Sequence, residues 1–358
     1  MLGSVVGVRR LAFPPNSAFR DGDANQVPIP SQEVDVQLLR LAIAIVVPLA
    51  MLACDRPAPV ALQSLSLSAQ FGVAPLDGSA GGGGPGRIVF HSARDGTPQI
   101  FRMNPDGGEQ QAITEGPGNA VWPDISRNGR LIAFASNRSG NNEIYVLDLS
   151  DGTLVNVSAS SADDNWPRWS PNGHRLVFHS NRDGDYNIYT VNADGTDLRR
   201  VTNDAALDQW PDWSPNGKQI AFRRGTDVYV ADADGEEENV RQLTIAPALD
   251  QMAAWSPNGK QIAFMSVRDG YPSVFLMSAE GETAENPAIN LTPKDATDAA
   301  SAWLSRAPSW SKDGRQIYFM SFRPSTGGDV ELFVMNADGS DVRRLTEAVG
   351  EDGGPRSR

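Results

Sequence analysis

The chain is poor in the residues that most often carry chemistry. Cys54 is the only cysteine among 358 residues, which excludes an intrachain disulfide and any metal site built from several thiolates. There are three histidines, His91, His174 and His179. Positive charge is also scarce: Lys and Arg number 31 against 44 Asp and Glu, a net charge of −13. That sign opposes binding to a phosphate backbone, so nucleic acid is not an expected partner. The apolar run Leu41–Ala53 has thirteen residues, short of the ~20 a membrane-spanning helix needs. No G-x-S-x-G nucleophile elbow occurs. What is abundant is Gly, at 34, and Pro, at 25, the composition of a chain full of tight turns. With 40% hydrophobic residues and eight Trp, it still has ample material for a core.

The first eighty-six residues read as targeting and tether. Leu41–Ala53 fits the apolar middle of a secretory signal, with Arg40 before it and small Ala53 at its end. Ala50-Met-Leu-Ala-Cys54 resembles the lipobox of bacterial lipoproteins. That resemblance implies acylation of the Cys54 thiol and cleavage that leaves Cys54 first. Residues 1–53 are therefore expected to be an upstream region and signal peptide, with the true start downstream of Met1. Residues 54–86 would be the lipidated Cys and a flexible linker ending in Gly81-Gly-Gly-Gly-Pro-Gly86. The alternation from Leu62 to Phe71 is an alternative, as one added strand.

From Arg87 the chain repeats. An apolar triplet ending in Phe recurs at Phe90, Phe134, Phe178, Phe222, Phe264 and Phe319, with spacings of 44, 44, 44, 42 and 55. Before most copies stands a turn such as Ser170-Pro-Asn-Gly173, Ser214-Pro-Asn-Gly217 or Ser256-Pro-Asn-Gly259. Pro presets φ at the second turn position and Gly accepts a positive φ at the end. A further strand, a turn such as Asn192-Ala-Asp-Gly195 and a short strand ending in Thr complete each unit. Four short strands per repeat cannot bury both faces alone, but radial stacking buries them all. The fold expected is all-β, a six-bladed propeller of four-stranded antiparallel blades over residues 87–358. A linear stack is the alternative. Thr114, Ser158, Thr202 and Thr244 each precede the next innermost-strand Pro slot by nine residues, and Thr346 precedes Pro355 by the same nine. The C-terminal strand is thus expected to close the ring as the missing inner strand of the first blade.

Pro167-Arg-Trp-Ser-Pro-Asn-Gly173, Leu176-Val-Phe178, Asn181-Arg-Asp-Gly184 and Asn192-Ala-Asp-Gly195 together resemble the repeat of the TolB-like β-propellers. The resemblance implies a periplasmic setting and protein partners of the envelope. Residues 1–86 do not match the α/β domain that precedes the propeller in TolB. The repeat also resembles propellers of prolyl-oligopeptidase-like peptidases and some glycan lyases.

Candidate site residues lie on the loops leading into the innermost strands and on those between second and third strands. Trp122, Trp166 and Trp210, each just before the Pro slot, suit stacking on a sugar or anchoring a partner, or packing between blades. Trp169, Trp213, Trp255 and Trp310 read as core. Asp164, Asp208, Asp250 and Asp352 precede the Pro slot by three, and Arg94, Arg138, Arg182, Arg268 and Arg323 follow the Phe strand. They suggest Asp–Arg contacts between adjacent blades, or a carboxylate ring that holds a cation or a basic segment of a partner. From Thr292 to Pro308 the spacing widens to sixteen, and the insertion carries Trp303. No catalytic residue, metal site or cofactor is expected: His91 and His179 take the same slot just after the strand Phe, two blades apart, and could share a metal only if both pointed into the channel, while the Asn-x-Asp-Gly turns lack the ligand pattern of a calcium loop. The reading is a monomeric, lipid-anchored envelope protein, periplasmic or at the cell surface, that binds another envelope protein without catalysis. A carbohydrate- or peptidoglycan-binding propeller is the alternative, and a propeller enzyme such as a glycan lyase a weaker one.

Overall fold

The computed structural model describes residues 87–235, 239–293, 304–323 and 329–357. These form 24 strands in six four-stranded antiparallel sheets, with no α-helix among the described residues. The third blade shows how the repeat builds a sheet. Its strands, from the axis outward, are Asp164–Trp169, Arg175–Asp183, Asp185–Asn192 and Arg199–Arg200. The first two are joined by Ser170-Pro-Asn-Gly173, where Gly173 takes φ 74° and its N–H donates to the Ser170 carbonyl at 2.8 Å. The Ser170 hydroxyl oxygen accepts the Arg175 N–H at 3.0 Å, which fixes the start of the second strand. The closing hydroxyl of each repeat has a matching task. Thr114, Ser158, Thr202, Thr244, Thr292 and Thr346 each accept a third-strand N–H at 2.8–3.0 Å. Each thereby continues the ladder where the outer strand ends.

The core lies between blades. Six apolar clusters join neighbouring sheets, five of them two sheets each and the sixth also taking in the residues that fill the channel, and the second-strand phenylalanines are fully buried in them. One cluster sets Phe90 and Phe101 of the first blade against Tyr318 and Met320 of the last, so the sixth interface is made like the other five. The ring is closed by Asp352–Ser357, which pairs antiparallel with Ile88–Ser92 as the innermost strand of the first blade. The expected clasp is the observed one. Gly353 and Gly354 stand in that strand because of what surrounds them. A Cβ on Gly353 would meet His91 at 2.7 Å, and one on Gly354 would meet Trp122 at 2.9 Å.

Every innermost strand carries a bulge at one position. Trp122, Trp166, Trp210, Met252, Ala307 and Gly354 adopt φ between 51° and 59° there. For the five residues with a Cβ this left-handed conformation costs about 1–2 kcal/mol each. The register shifts at the same points. Antiparallel order fixes the two faces of the disc. First-to-second and third-to-fourth strand turns share one face, termed the turn face. Loops between blades and between second and third strands share the other.

Candidate functional site

The three tryptophans of the innermost-strand bulges converge inside the channel. Ring centroids lie 4.3 Å apart for Trp122 and Trp166 and 6.5 Å apart for Trp166 and Trp210. Trp166 is buried, Trp122 and Trp210 are half-buried, and all three pack with Met252 and Ala307 from across the axis. Large side chains from three successive blades thus fill a space that Met252, Ala307 and Gly354 leave open opposite them. The main chain of this plug is held by buried imidazoles: the Trp122 N–H donates to His91 Nδ1 at 3.4 Å, and the Trp210 N–H donates to His179 Nδ1 at 3.3 Å. Burial, with Arg306 nearby, holds the His91 pKa down to about 3. Burial does the same to His179, aided by Arg223 and Arg168. Both rings are therefore neutral acceptors at ordinary pH. Among the described residues no three His, Cys, Asp or Glu are grouped to hold a metal.

The candidate Asp and Arg residues meet, but within a blade and not between adjacent ones. Asp164 pairs with Arg182 at 2.9 Å, Asp250 with Arg268 at 2.9 Å, and Asp352 with Arg94 at 3.1 Å. Asp208 pairs with Arg224 at 2.8 Å. The Asp opens the innermost strand and the Arg follows the second, so strand pairing brings them side by side in one sheet. The guanidinium also lies over the blade's aromatic pair: Arg182 is 5.3 Å from the Phe178 centroid and 5.0 Å from that of Tyr189. Arg268 repeats this over Phe264 and Phe275 and adds Glu282 as a second carboxylate. Burial pushes the Asp208, Asp250 and Asp352 carboxyls up despite their arginines. These groups are latches that fasten four of the six blades; the second and sixth open on Ala120 and Leu304 instead, and there Arg138 and Arg323 lie over the blade's aromatic pair. Trp303 and Cys54 lie outside the described residues, as does most of the insertion.

The concave site opens at the other end of the channel, on the turn face. It is a funnel of about 370 Å³. Its wall includes edges of Trp169, Trp213, Trp255 and Trp310, otherwise packed between blades. Three of their indole N–H groups donate across a blade boundary, to the carbonyls of Asp124, Arg168 and Ala254 at 3.1–3.2 Å. Trp255 is half-buried, and its Nε1 is buried without a hydrogen-bond partner. Deep in the funnel, Asp124 Oδ2 accepts the Trp169 N–H at 2.7 Å and Asp212 Oδ2 accepts the Trp255 N–H at 2.9 Å. Burial pushes the Asp212 carboxyl up, against the pull of Arg356, Arg168 and the Trp255 amide. The rim carries Arg127, Lys312 and three prolines, Pro171, Pro215 and Pro257. Adjacent turns stack around it: a Cβ on Gly217 would lie 3.7 Å from Pro171, and one on Gly259 would lie 3.4 Å from Pro215.

Sequence reasoning placed its candidates on the opposite face and did not single out Asp124, Asp212, Arg127, Lys312 or Arg356. A signal was present. The position after the Pro slot reads Asp124, Arg168, Asp212, Ala254, Ser309 and Arg356 round the ring. Charge at a strand position otherwise next to core Trp is out of place unless that position faces a polar space.

Residues 109–227 match the family model described as the TolB beta propeller domain. No curated protein sequence matches the chain. Among solved structures, TolB from Acinetobacter baumannii superposes with TM-score 0.63 at 21% identity, over 76% of this chain and 66% of that one, just under two thirds of its length. A putative TolB from Agrobacterium tumefaciens gives 0.60 at 22% identity, over 76% of this chain and 92% of that one. Hydrazine synthase of Kuenenia stuttgartiensis gives 0.62 at 13% identity, over 77% and 47%. At these identities the likeness is one of fold. The chain carries a TolB-like six-bladed propeller.

Proposed function

We propose that this chain is a lipid-anchored binding protein of the bacterial cell envelope, whose propeller is a docking platform for another envelope protein. The observation that carries the reading is the turn-face funnel: a concave, mixed polar and aromatic site on a closed ring, four of whose blades are latched by buried ion pairs. A rigid scaffold of this kind presents a site without ordering cost on binding. Acylation at Cys54, with residues 55–86 as tether, would keep it at a membrane, in the periplasm or at the cell surface. Arg87 adjoins the strand pair that ends with Ser357, so the chain leaves the propeller on the turn face, beside the funnel.

A glycan is the second reading, and half-buried Trp255, with an edge in the funnel wall, favours it. Trp122, Trp166 and Trp210 offer it little, because they pack against one another inside the channel, tilted and edge-to-face. The test is purification of the tagged full-length protein from crosslinked cells of its native host, beside a Lys312→Trp variant that obstructs the funnel. The expected result is one abundant envelope protein with the wild type and its loss with the variant. Retention in both, or no specific protein, would overturn the reading; binding of soluble peptidoglycan fragments instead would establish the glycan.

A further inference from the structure

The turn face has a concentric charge pattern. Its outer turns, between third and fourth strands, carry at least one exposed acid in every blade: Asp106, Asp151, Asp194, Asp234, Glu280 and Asp338. Its inner turns, around the funnel, carry an exposed cation or histidine just after each turn glycine: Arg130, His174, Lys218, Lys260 and Arg315. On a chain of net charge −13, the inner ring is the exception, with Asp313 its one exposed acid.

The funnel itself is two-sided. Lys312, Arg356 and Arg127 come from the last, first and second blades, which are neighbours in the closed ring. Pro171, Pro215 and Pro257, with Trp213 and Trp255 beside them, come from the third, fourth and fifth. The cations thus stand on one side and the prolines on the other, with Asp124 among the former and Asp212 among the latter. Arg127 and Lys312 are exposed and make no salt bridge among the described residues. Asp124 and Asp212 each hold a main-chain N–H deeper in the funnel, and exposed Asp313 on the rim turn is engaged by the Ser311 hydroxyl and Arg315, so the rim charges without an ion pair among the described residues are Arg127 and Lys312.

We infer that the funnel takes an acidic protein segment, with carboxylates on the Arg127 and Lys312 side and a neighbouring bulky apolar side chain on the proline side. This rests on the docking function proposed above and names the chemistry of the docked segment. Charge complementarity also decides between a segment and a flat anionic surface. A membrane laid on this face would meet the outer acids as well as the inner cations. A narrow segment entering the funnel meets Arg127 and Lys312 at its mouth without touching the outer acids, whose field is damped over the screening length of about 8 Å at physiological salt. An apolar side chain against the prolines and tryptophans supplies the non-ionic part of the contact.

The test selects a display library of random peptides on the immobilised full-length protein, with counter-selection on an Arg127→Gln/Lys312→Gln variant. Both changed residues are exposed, so the variant keeps its fold, checked by its melting curve. Expected are peptides with Asp or Glu beside Trp, Phe or Leu. Their Glu→Gln versions should bind about tenfold more weakly, ~1.4 kcal/mol, and their affinity should fall as salt rises. A neutral or basic consensus that still depends on the funnel would overturn this inference and leave the docking function standing. No peptide that distinguishes wild type from the Lys312→Trp variant would count against both. Co-sedimentation with phosphatidylglycerol-containing vesicles, lost in the Gln variant, would overturn it in favour of a membrane surface.

Discussion

The buried histidines make acid a selective destabiliser of this propeller. His91 and His179 are each 4% exposed and accept the N–H of a plug tryptophan. Burial holds both folded-state values at about 3, against 6.5 in an unfolded chain. Below pH 6.5 the unfolded chain takes up protons on these rings and the folded chain does not. Stability therefore falls as pH falls, until about pH 3. The slope is ~1.4 kcal/mol per pH unit for each ring, or ~2.7 for both. The carboxyls raised by burial tilt the other way as pH rises above their unfolded values, so the absolute curve mixes several groups. The difference against a His91→Asn/His179→Asn variant isolates the imidazoles, because the Asn side-chain oxygen can accept the same N–H and does not titrate. Urea unfolding across the acid range measures it. The variant should be less stable than wild type near neutrality, and its deficit should shrink by ~2.7 kcal/mol per pH unit on acidification. A deficit constant from about pH 6 to pH 4 would refute the reasoning, since it would mean that the rings protonate within the fold.

Other perturbations address the ring and its latches. Deleting residues 351–358 removes the innermost strand of the first blade and the Asp352–Arg94 pair. A fall in Tm of ~10 °C or more by calorimetry is expected, and an unchanged value would refute closure by this strand. Arg268→Met leaves the buried carboxylates of Asp250 and Glu282 facing each other without their cation. It should cost ~3–5 kcal/mol in denaturant unfolding, whereas Arg315→Ala, at an 86% exposed side chain, should change stability by less than ~0.5 kcal/mol. Trp166→Ala empties the middle of the channel plug and should cost ~3–5 kcal/mol. A smaller loss with retained peptide binding would show that the plug is dispensable.

The propeller was legible because its determinants are local and repeated. Ser-Pro-Asn-Gly sets one turn, the closing Thr caps the third strand, and the nine-residue interval to Pro355 reveals the clasp before any strand is placed. The partners of the recurring Asp and Arg were legible, but not their arrangement. Arg182 reaches Asp164 across two strands of its own sheet, and linear order does not separate that from a contact with the next blade. The functional face was least legible. Trp122 and Trp166 look like rim residues when read along the chain, but a bulge with φ 55° and 59° turns them onto the axis. Arg127, Lys312 and Arg356 are far apart in sequence, and only closure sets them on three adjoining blades. Cys54 and Trp303 lie outside the described residues, and acylation at Cys54 belongs to the proposed function.

Docking at the turn-face funnel is tested most directly by photo-crosslinking from single positions of the full-length protein in its native envelope. One probe replaces Lys312 at the funnel rim, and the control replaces exposed Asp269 on the opposite face. A single envelope protein captured from position 312 and absent from position 269 is the predicted result. Capture from position 269 alone, or from neither position, would contradict the account.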